Sequence, residues 1–360
     1  MLFQTPAPTA ALARKLDELD ELRAQLNNEL RRPSPWLGVL RRLARATAVS
    51  QSTGIEGFHV SDEDALSLVS GEAHAAPGET DRLAVECYAR AMDHVVAMAE
   101  DPEFDWSQRV ILALHFDACS FQHEARPGRW RTGGVGIVDG RGRIIYQAPD
   151  AGEVPGLMAE VVEWLQHGDL DAHVVVRAAM AHLNVVSVHP FRDGNGRVSR
   201  IVQSLALVRD GLLAPEFASI EEYLGEHTPA YYEILQRTHG RTYDPTRSAA
   251  AWVAFCVDAH LHQARRRLEQ IHEAGVRWER LERIAERRAW PDRFVIALEQ
   301  SFFGGGAERT GYAREAEVSL PTASTDLRRM VEAGMLVQRG QGRATRYEPS
   351  DALRAAAAGE

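Results

Sequence analysis

Apolar residues recur every three or four positions along most of the chain, the spacing of amphipathic helices. Leu12, Leu16, Leu19, Leu26 and Leu30 predict a first helix, which Pro33 and Pro35 end. A second is predicted over about 36–55, with Leu37, Leu40, Leu43 and Val49 on its apolar face and Gly57 placed as a C-terminal cap. Ser61, followed by Asp62, Glu63 and Asp64, reads as the start of a third. Further helices are expected between Asp81 and His123, with Trp106, Val110, Ala113 and Leu114 sharing a face.

The period then changes. Residues 127–149, PGRWRTGGVGIVDGRGRIIYQAP, place β-branched residues on both sides of Asp139-Gly140, the mark of a hairpin turn. A lone hairpin is unstable, so this one either packs on helices or forms a flap. Helical spacing returns over 154–167, 173–188 and 197–210, where Gly211 ends it, and again over 220–240 and 248–290. Beyond Pro291 the pattern gives helices over 293–300, 310–318 and 321–334, then two short strands about Gly340-Gln341-Gly342. That order is the order of a winged helix-turn-helix. Ala355 to Glu360 reads as a disordered tail. The fold class expected is therefore mainly α, a helical core with a β-hairpin flap plus a C-terminal winged helix.

Composition narrows the classes. The chain has 360 residues, 45% hydrophobic and 26% charged, enough for two or three domains with well-filled cores. No apolar run approaches the length of a membrane span. Met1 to Ala13 lacks the pattern of a secretory leader. Cys87, Cys119 and Cys256 are too scattered for a disulfide framework or a CxxC metal site, which fits a reducing cytoplasm. A net charge of −10 argues against coating nucleic acid along the whole surface. Val276 to Tyr347, with 13 Arg against 10 acidic residues, is locally basic.

One segment concentrates chemistry: His189-Pro190-Phe191-Arg192-Asp193-Gly194-Asn195-Gly196-Arg197-Val198-Ser199-Arg200. Two glycines let successive backbone N–H groups converge on an anion, and the helix that follows adds its unpaired N–H groups and positive dipole end. Arg197 and Arg200, three apart, share a helix face and can both meet a polyphosphate. Asp193 offers a hard oxygen of the kind Mg²⁺ takes alongside phosphates. His189 has the chemistry of a general base, and Phe191 that of a core wedge. The alternative, a plain helical corner with a buried histidine and two surface arginines, explains neither the paired glycines nor the convergence.

The segment resembles the signature of the Fic (Fido-domain) family, HPFx[DE]GNGRxxR, at every fixed position. AHLNVVSVHPF before it, SLALVRDGLL after it and the hairpin opening PGRWR extend the likeness to roughly residues 40–245. The resemblance implies a helical enzyme that transfers AMP from ATP, with Mg²⁺, to a Ser, Thr or Tyr hydroxyl of a target protein or of itself. It implies that His189 takes the hydroxyl proton and that Asp193 holds the metal. Gly194, Asn195 and Gly196 would cradle phosphates, Arg197 would meet the departing pyrophosphate and Arg200 the γ-phosphate. Val135, Gly136, Ile137 and Val138 would lie near the nucleotide on a flap that aligns the target by strand addition. Doc-type relatives, which phosphorylate, carry lysine at position 196; Gly196 leaves room for the α-phosphate.

Ser52-Thr53-Gly54-Ile55-Glu56-Gly57 is similar to the family's inhibitory pattern [ST]xxxE[GN]. It implies that Glu56 pairs with Arg200 in place of the γ-phosphate, and it leaves open a water-positioning role in removing AMP. Tyr231 and Tyr232 are similar to the family's tyrosine pair near adenine, although His239 stands where some relatives carry a nucleotide-contacting asparagine.

The expected organisation is an N-terminal helical region over 1–100 carrying the inhibitory helix (about 36–57), a Fic domain over 101–245 and a helical connector over 246–290. A winged helix over 291–350 and a tail over 351–360 complete it. The winged helix would present Thr322, Ser324, Arg328 and Arg329, with Arg339, Arg343 and Arg346 on its wing. The leading expectation is a self-inhibited protein adenylyltransferase without membrane attachment. The alternatives are a nucleotide-sensing DNA-binding regulator and an enzyme that removes AMP. DNA and a second copy of the chain are the remaining partner classes.

Overall fold

The computed structural model describes residues 1–358 apart from 33, 71–77, 139, 210–214, 304–305 and 343–344. In chain order the helices are α1 (Ala10–Arg31), α2 (Leu37–Ile55), α3 (Asp62–Val69), α4 (Glu79–Glu100) and α5 (Gln108–Cys119). The hairpin β1 (Gly136–Val138) and β2 (Ile144–Gln147) follows, then α6 (Val154–His167), α7 (Val174–Val188), α8 (Asn195–Arg209) and α9 (Pro215–Ala218). Next come α10 (Glu221–Glu226), α11 (Thr228–His239), α12 (Ala250–Arg287), α13 (Arg293–Gln300), α14 (Arg309–Glu315) and α15 (Leu320–Glu332). The chain ends with β3 (Leu336–Arg339), β4 (Arg346–Pro349) and α16 (Asp351–Ala358). The architecture is mainly α with two small two-stranded sheets. None of the described helices is long and apolar enough to cross a membrane.

Two compact units form. The first comprises Met1–Ala24, Ala48–Val60 and Gly78–Arg265, the second Gln25–Thr47, Ser61–Pro77 and Arg266–Glu360. In the first, α7 is buried along its whole length from Val175 to Val188, as its apolar composition requires. It packs on α8, itself buried from Arg197 to Leu207. Ile111 and Leu114 of α5, Tyr88 of α4 and Trp252 of α12 complete this core. The Trp252 indole donates to Ala179 O at 2.7 Å, satisfying its one polar atom inside the core. Because α7 and α8 are held on all sides, the turn between them is fixed.

In the second unit α13, α14 and α15 pack around Phe294, Leu298, Tyr312, Leu327 and Met330, followed by the β3–β4 hairpin. Ala307 pairs with Tyr347 as an isolated bridge. Asp326 is buried, and it accepts from Arg293 at 2.7 Å and from the Tyr312 hydroxyl at 2.9 Å.

Local chemistry sets several boundaries. Ser61 caps α3 through Asp64 N, and Gly57 closes α2 at φ +88°. Four expectations change. On α5, Ala113 is exposed, and the inward face is Ile111, Leu114 and Ala118. The helix expected over 310–318 ends at Glu315, because Glu317 takes φ +53° and Val318 N returns to Ala313 O. The hairpin does not turn tightly on Asp139-Gly140. Val138 pairs with Ile144 across an irregular register, so the connection is longer, with Gly142 at φ +73°; Asp139 itself lies outside the described residues. The tail forms α16, since Ser350 caps it and Leu353 and Ala357 are buried. Asp210-Gly211 and Arg343 lie outside the described residues.

Candidate active site

The site is the turn from α7 to α8. His189 ends α7 in the left-handed region, at φ 50° and ψ 57°. Its Nδ1 lies 3.1 Å from Val186 O, and a carbonyl only accepts, so Nδ1 carries the proton and Nε2 the lone pair. Burial pushes the His189 pKa below the ordinary imidazole range, with Arg131 acting in the same direction and the Val186 contact, Glu56 and Asp193 opposing it. Burial thus favours the neutral ring, with Nε2 as its free acceptor.

Asn195 closes the turn from within: its side chain accepts from Phe191 N at 2.8 Å and donates to Phe191 O at 2.9 Å. One donor and one acceptor of that side chain are thereby spent on holding the turn. Gly194 sits at φ +80°, where an added Cβ would lie 2.3 Å from Cys119 Sγ. The Asp193 carboxylate accepts from Gly194 N at 2.7 Å, remains half-exposed, and has its other oxygen 3.7 Å from Arg197. One accessible carboxylate fits Mg²⁺, which keeps few protein ligands and takes the remainder from phosphates and water. No cluster of three or more metal-binding side chains occurs among the described residues.

Arg200 is 1% exposed. It donates to Ser52 Oγ at 2.7 Å, Ser52 O at 3.0 Å and Glu56 Oε1 at 2.9 Å. Burial opposes its charge, but Glu56, Tyr231 and Tyr88 together outweigh that and raise the guanidinium pKa. Gly196 completes the arrangement. A Cβ there would fall 2.4 Å from Glu56 Oε1, so the missing side chain is what admits the carboxylate. Arg197 is equally buried, with contacts to Gln122 Oε1 at 2.6 Å and Ala118 O at 3.3 Å.

The tyrosine pair divides. Tyr231 is buried, with its hydroxyl 3.0 Å from His182 Nε2, and burial raises its pKa. Tyr232 is half-exposed and donates to Ile55 O at 3.1 Å, against the end of α2. His239 is buried beside Tyr146, ring centroids 4.1 Å apart. Val138, at 55% exposure, and Ile144, at 53%, form an exposed apolar pair on the hairpin, with Gly136 exposed and Val135 and Ile137 half-buried.

Two further residues hold the turn. Arg131 donates to His189 O at 2.8 Å, Gly133 O at 2.9 Å and Pro149 O at 2.6 Å, and its backbone N to Pro190 O at 2.9 Å. It ties the α7–α8 turn to both stems of the hairpin. His115 accepts from Gly128 N on Nδ1, so its Nε2 donates to Asp193 O at 3.0 Å. Its ring stacks on Phe191 at 3.7 Å, and burial lowers its pKa to about 4. Only the PGRWR opening pointed toward Arg131. Nothing in the spacing of α5 marked His115.

Residues 105–207 match the Fic/DOC family. Protein adenylyltransferase Fic of Nematostella vectensis is 28% identical over 174 residues, covering 45% of this chain and 38% of that protein. Protein adenylyltransferase fic-1 of Caenorhabditis elegans is 26% identical over 235 residues, 62% of this chain and 44% of that one. The chain thus spans less than half the length of these curated relatives. The crystal structure of a Fic family protein from Desulfovibrio desulfuricans G20 superposes with a TM-score of 0.61 at 22% identity, covering 97% of this chain and 99% of that one. The chain carries a domain of the Fic/DOC family over residues 105–207.

Proposed function

We propose that the protein is a self-inhibited protein adenylyltransferase. The observation that carries this reading is the Glu56 carboxylate on Arg200, seated in the space Gly196 leaves open. Two curated relatives are named protein adenylyltransferases, which supports the reaction class.

In the reaction, His189 Nε2 accepts the proton of a Ser, Thr or Tyr hydroxyl. The hydroxyl oxygen bonds to the α-phosphorus of ATP as the α–β bridging bond breaks, giving an AMP ester and pyrophosphate. The N–H groups opening α8 face the phosphates, and Arg197 and Arg200 balance the charge that gathers on the leaving group. Asp193 would hold Mg²⁺, which shields the phosphate charge when bound. The hairpin supports strand addition by the target. Gln147 N bonds Arg241 O on the outer edge of β2, whereas the outer edge of β1 is unpaired among the described residues. With Glu56 on Arg200, the γ-phosphate has no counter-charge and ATP sits off line.

Intact-mass spectrometry of wild type and Glu56→Gly, each incubated with Mg²⁺ and ATP, tests this. One or more added AMP units in the variant and few in the wild type are expected. No gain in either overturns the reading.

We further read residues 293–349 as a winged helix, on the order of three helices and a hairpin. Arg346 is 8% exposed and paired with Glu63 at 3.1 Å and Glu308 at 2.9 Å, so it serves the unit's interior. DNA contact would rest on Thr322, Ser324, Arg328, Arg329 and Arg339.

A further inference from the structure

Glu56 is not alone in its segment in touching the motif. The Arg197 guanidinium lies over two neighbouring rings, 5.4 Å from the centroid of Phe58 and 5.5 Å from that of Phe121. The rings themselves meet edge to face, 5.4 Å apart. Arg197 Nε is buried with no hydrogen-bond partner. A guanidinium at the start of α8, sealed from water and short of an acceptor, is built to receive an anion and is shut away from one. Phe121 and Gln122 follow α5 within the Fic/DOC match. Phe58 does not belong there; it arrives from α2. Glu56 N and Phe58 N both bond Thr53 O, at 3.0 and 3.1 Å, with Gly57 reversing the chain between them. The two side chains therefore leave one rigid turn in the direction of two different arginines.

We propose that Phe58 is a second inhibitory contact, which caps Arg197 while Glu56 occupies Arg200. A single three-residue segment withdraws both arginines from an incoming polyphosphate, and it must be displaced as a unit. The ring's attraction for a desolvated guanidinium, together with its bulk, closes the route by which a phosphate would approach. This rests on the adenylyl-transfer reading.

Calorimetric titration with ATP and with AMP separates the possibilities in the Glu56→Gly background. Phe58→Ala is expected to tighten ATP at least threefold, to leave AMP within twofold, and to raise AMP labelling in step. Phe58→Tyr, which keeps the ring, is expected to match the background, and Phe58→Leu to fall between. Weakening of both nucleotides by Phe58→Ala and Phe58→Leu alike would make Phe58 a packing residue and overturn the proposal. Unchanged ATP affinity in a protein that still labels would also overturn it, leaving the transfer reading intact. If Glu56→Gly neither binds ATP nor acquires AMP, the transfer reading itself fails.

Discussion

Gly57 turns the backbone at φ +88°, yet no heavy atom lies within 4 Å of the position a Cβ would take. Any cost of substitution there is conformational, with no clash added. Asn tolerates the left-handed region, whereas β-branched residues resist it. This gives the E[GN] pattern a physical reason. Gly57→Asn is expected to remain as inhibited as wild type, and Gly57→Val to acquire AMP severalfold faster in the same mass assay. Equal labelling of the two would show that the turn's handedness does not hold Glu56 in place. At this scale the sequence was most legible where chemistry is local. His189, Asp193, Arg197, Arg200 and Glu56 are close to one another in the structure. It was least legible where a side chain acts on distant carbonyls, as Arg131 does, because no spacing rule encodes a partner 58 residues away. The burial of Tyr231 was hidden for the same reason: neighbouring tyrosines on one helix can point to core and surface.

Between elements, the join of hairpin to α7 sets the orientation of His189. Tyr146 of β2 donates to Ser187 O, two residues before His189, and Arg131 binds His189 O from the other stem. A lysine has one ammonium in place of a planar fork and cannot hold three carbonyls in these directions. Arg131→Lys in the Glu56→Gly background is therefore expected to lower the labelling rate tenfold or more with ATP affinity within twofold. A matched loss of affinity would place Arg131 in nucleotide binding instead. The helices were readable because strong periodicity survives in both units, and α6 runs over Val154–His167 as its pattern indicates. The turn of the hairpin and the alanine-rich end were not. A longer connection displaced the Asp-Gly turn, and Leu353, an isolated apolar residue, anchors α16 only because a packed unit receives it.

Across the molecule, burial of neutral imidazoles links stability to pH. His115 and His239 are lowered to about 4 and His182 to about 3, and His189 and His260 are lowered as well, in each case chiefly by burial. In the unfolded chain these rings titrate near 6.5, so below that value the unfolded state binds more protons than the native state. Stability should be full above about pH 6.5 and decline progressively toward pH 4. Thermal melting between pH 7.5 and 4.5 reads this directly, and a constant midpoint would contradict it.

The ion pair of Glu56 with Arg200 spans 144 residues of chain. During synthesis the carboxylate emerges first, and at about 5–20 residues per second the arginine follows roughly 7–30 s later. The turn between α7 and α8 thus never folds on a ribosome before Glu56 has been made. On the proposed self-inhibition, a restraint encoded after the motif would leave every new molecule briefly unguarded; one encoded before it leaves no such interval.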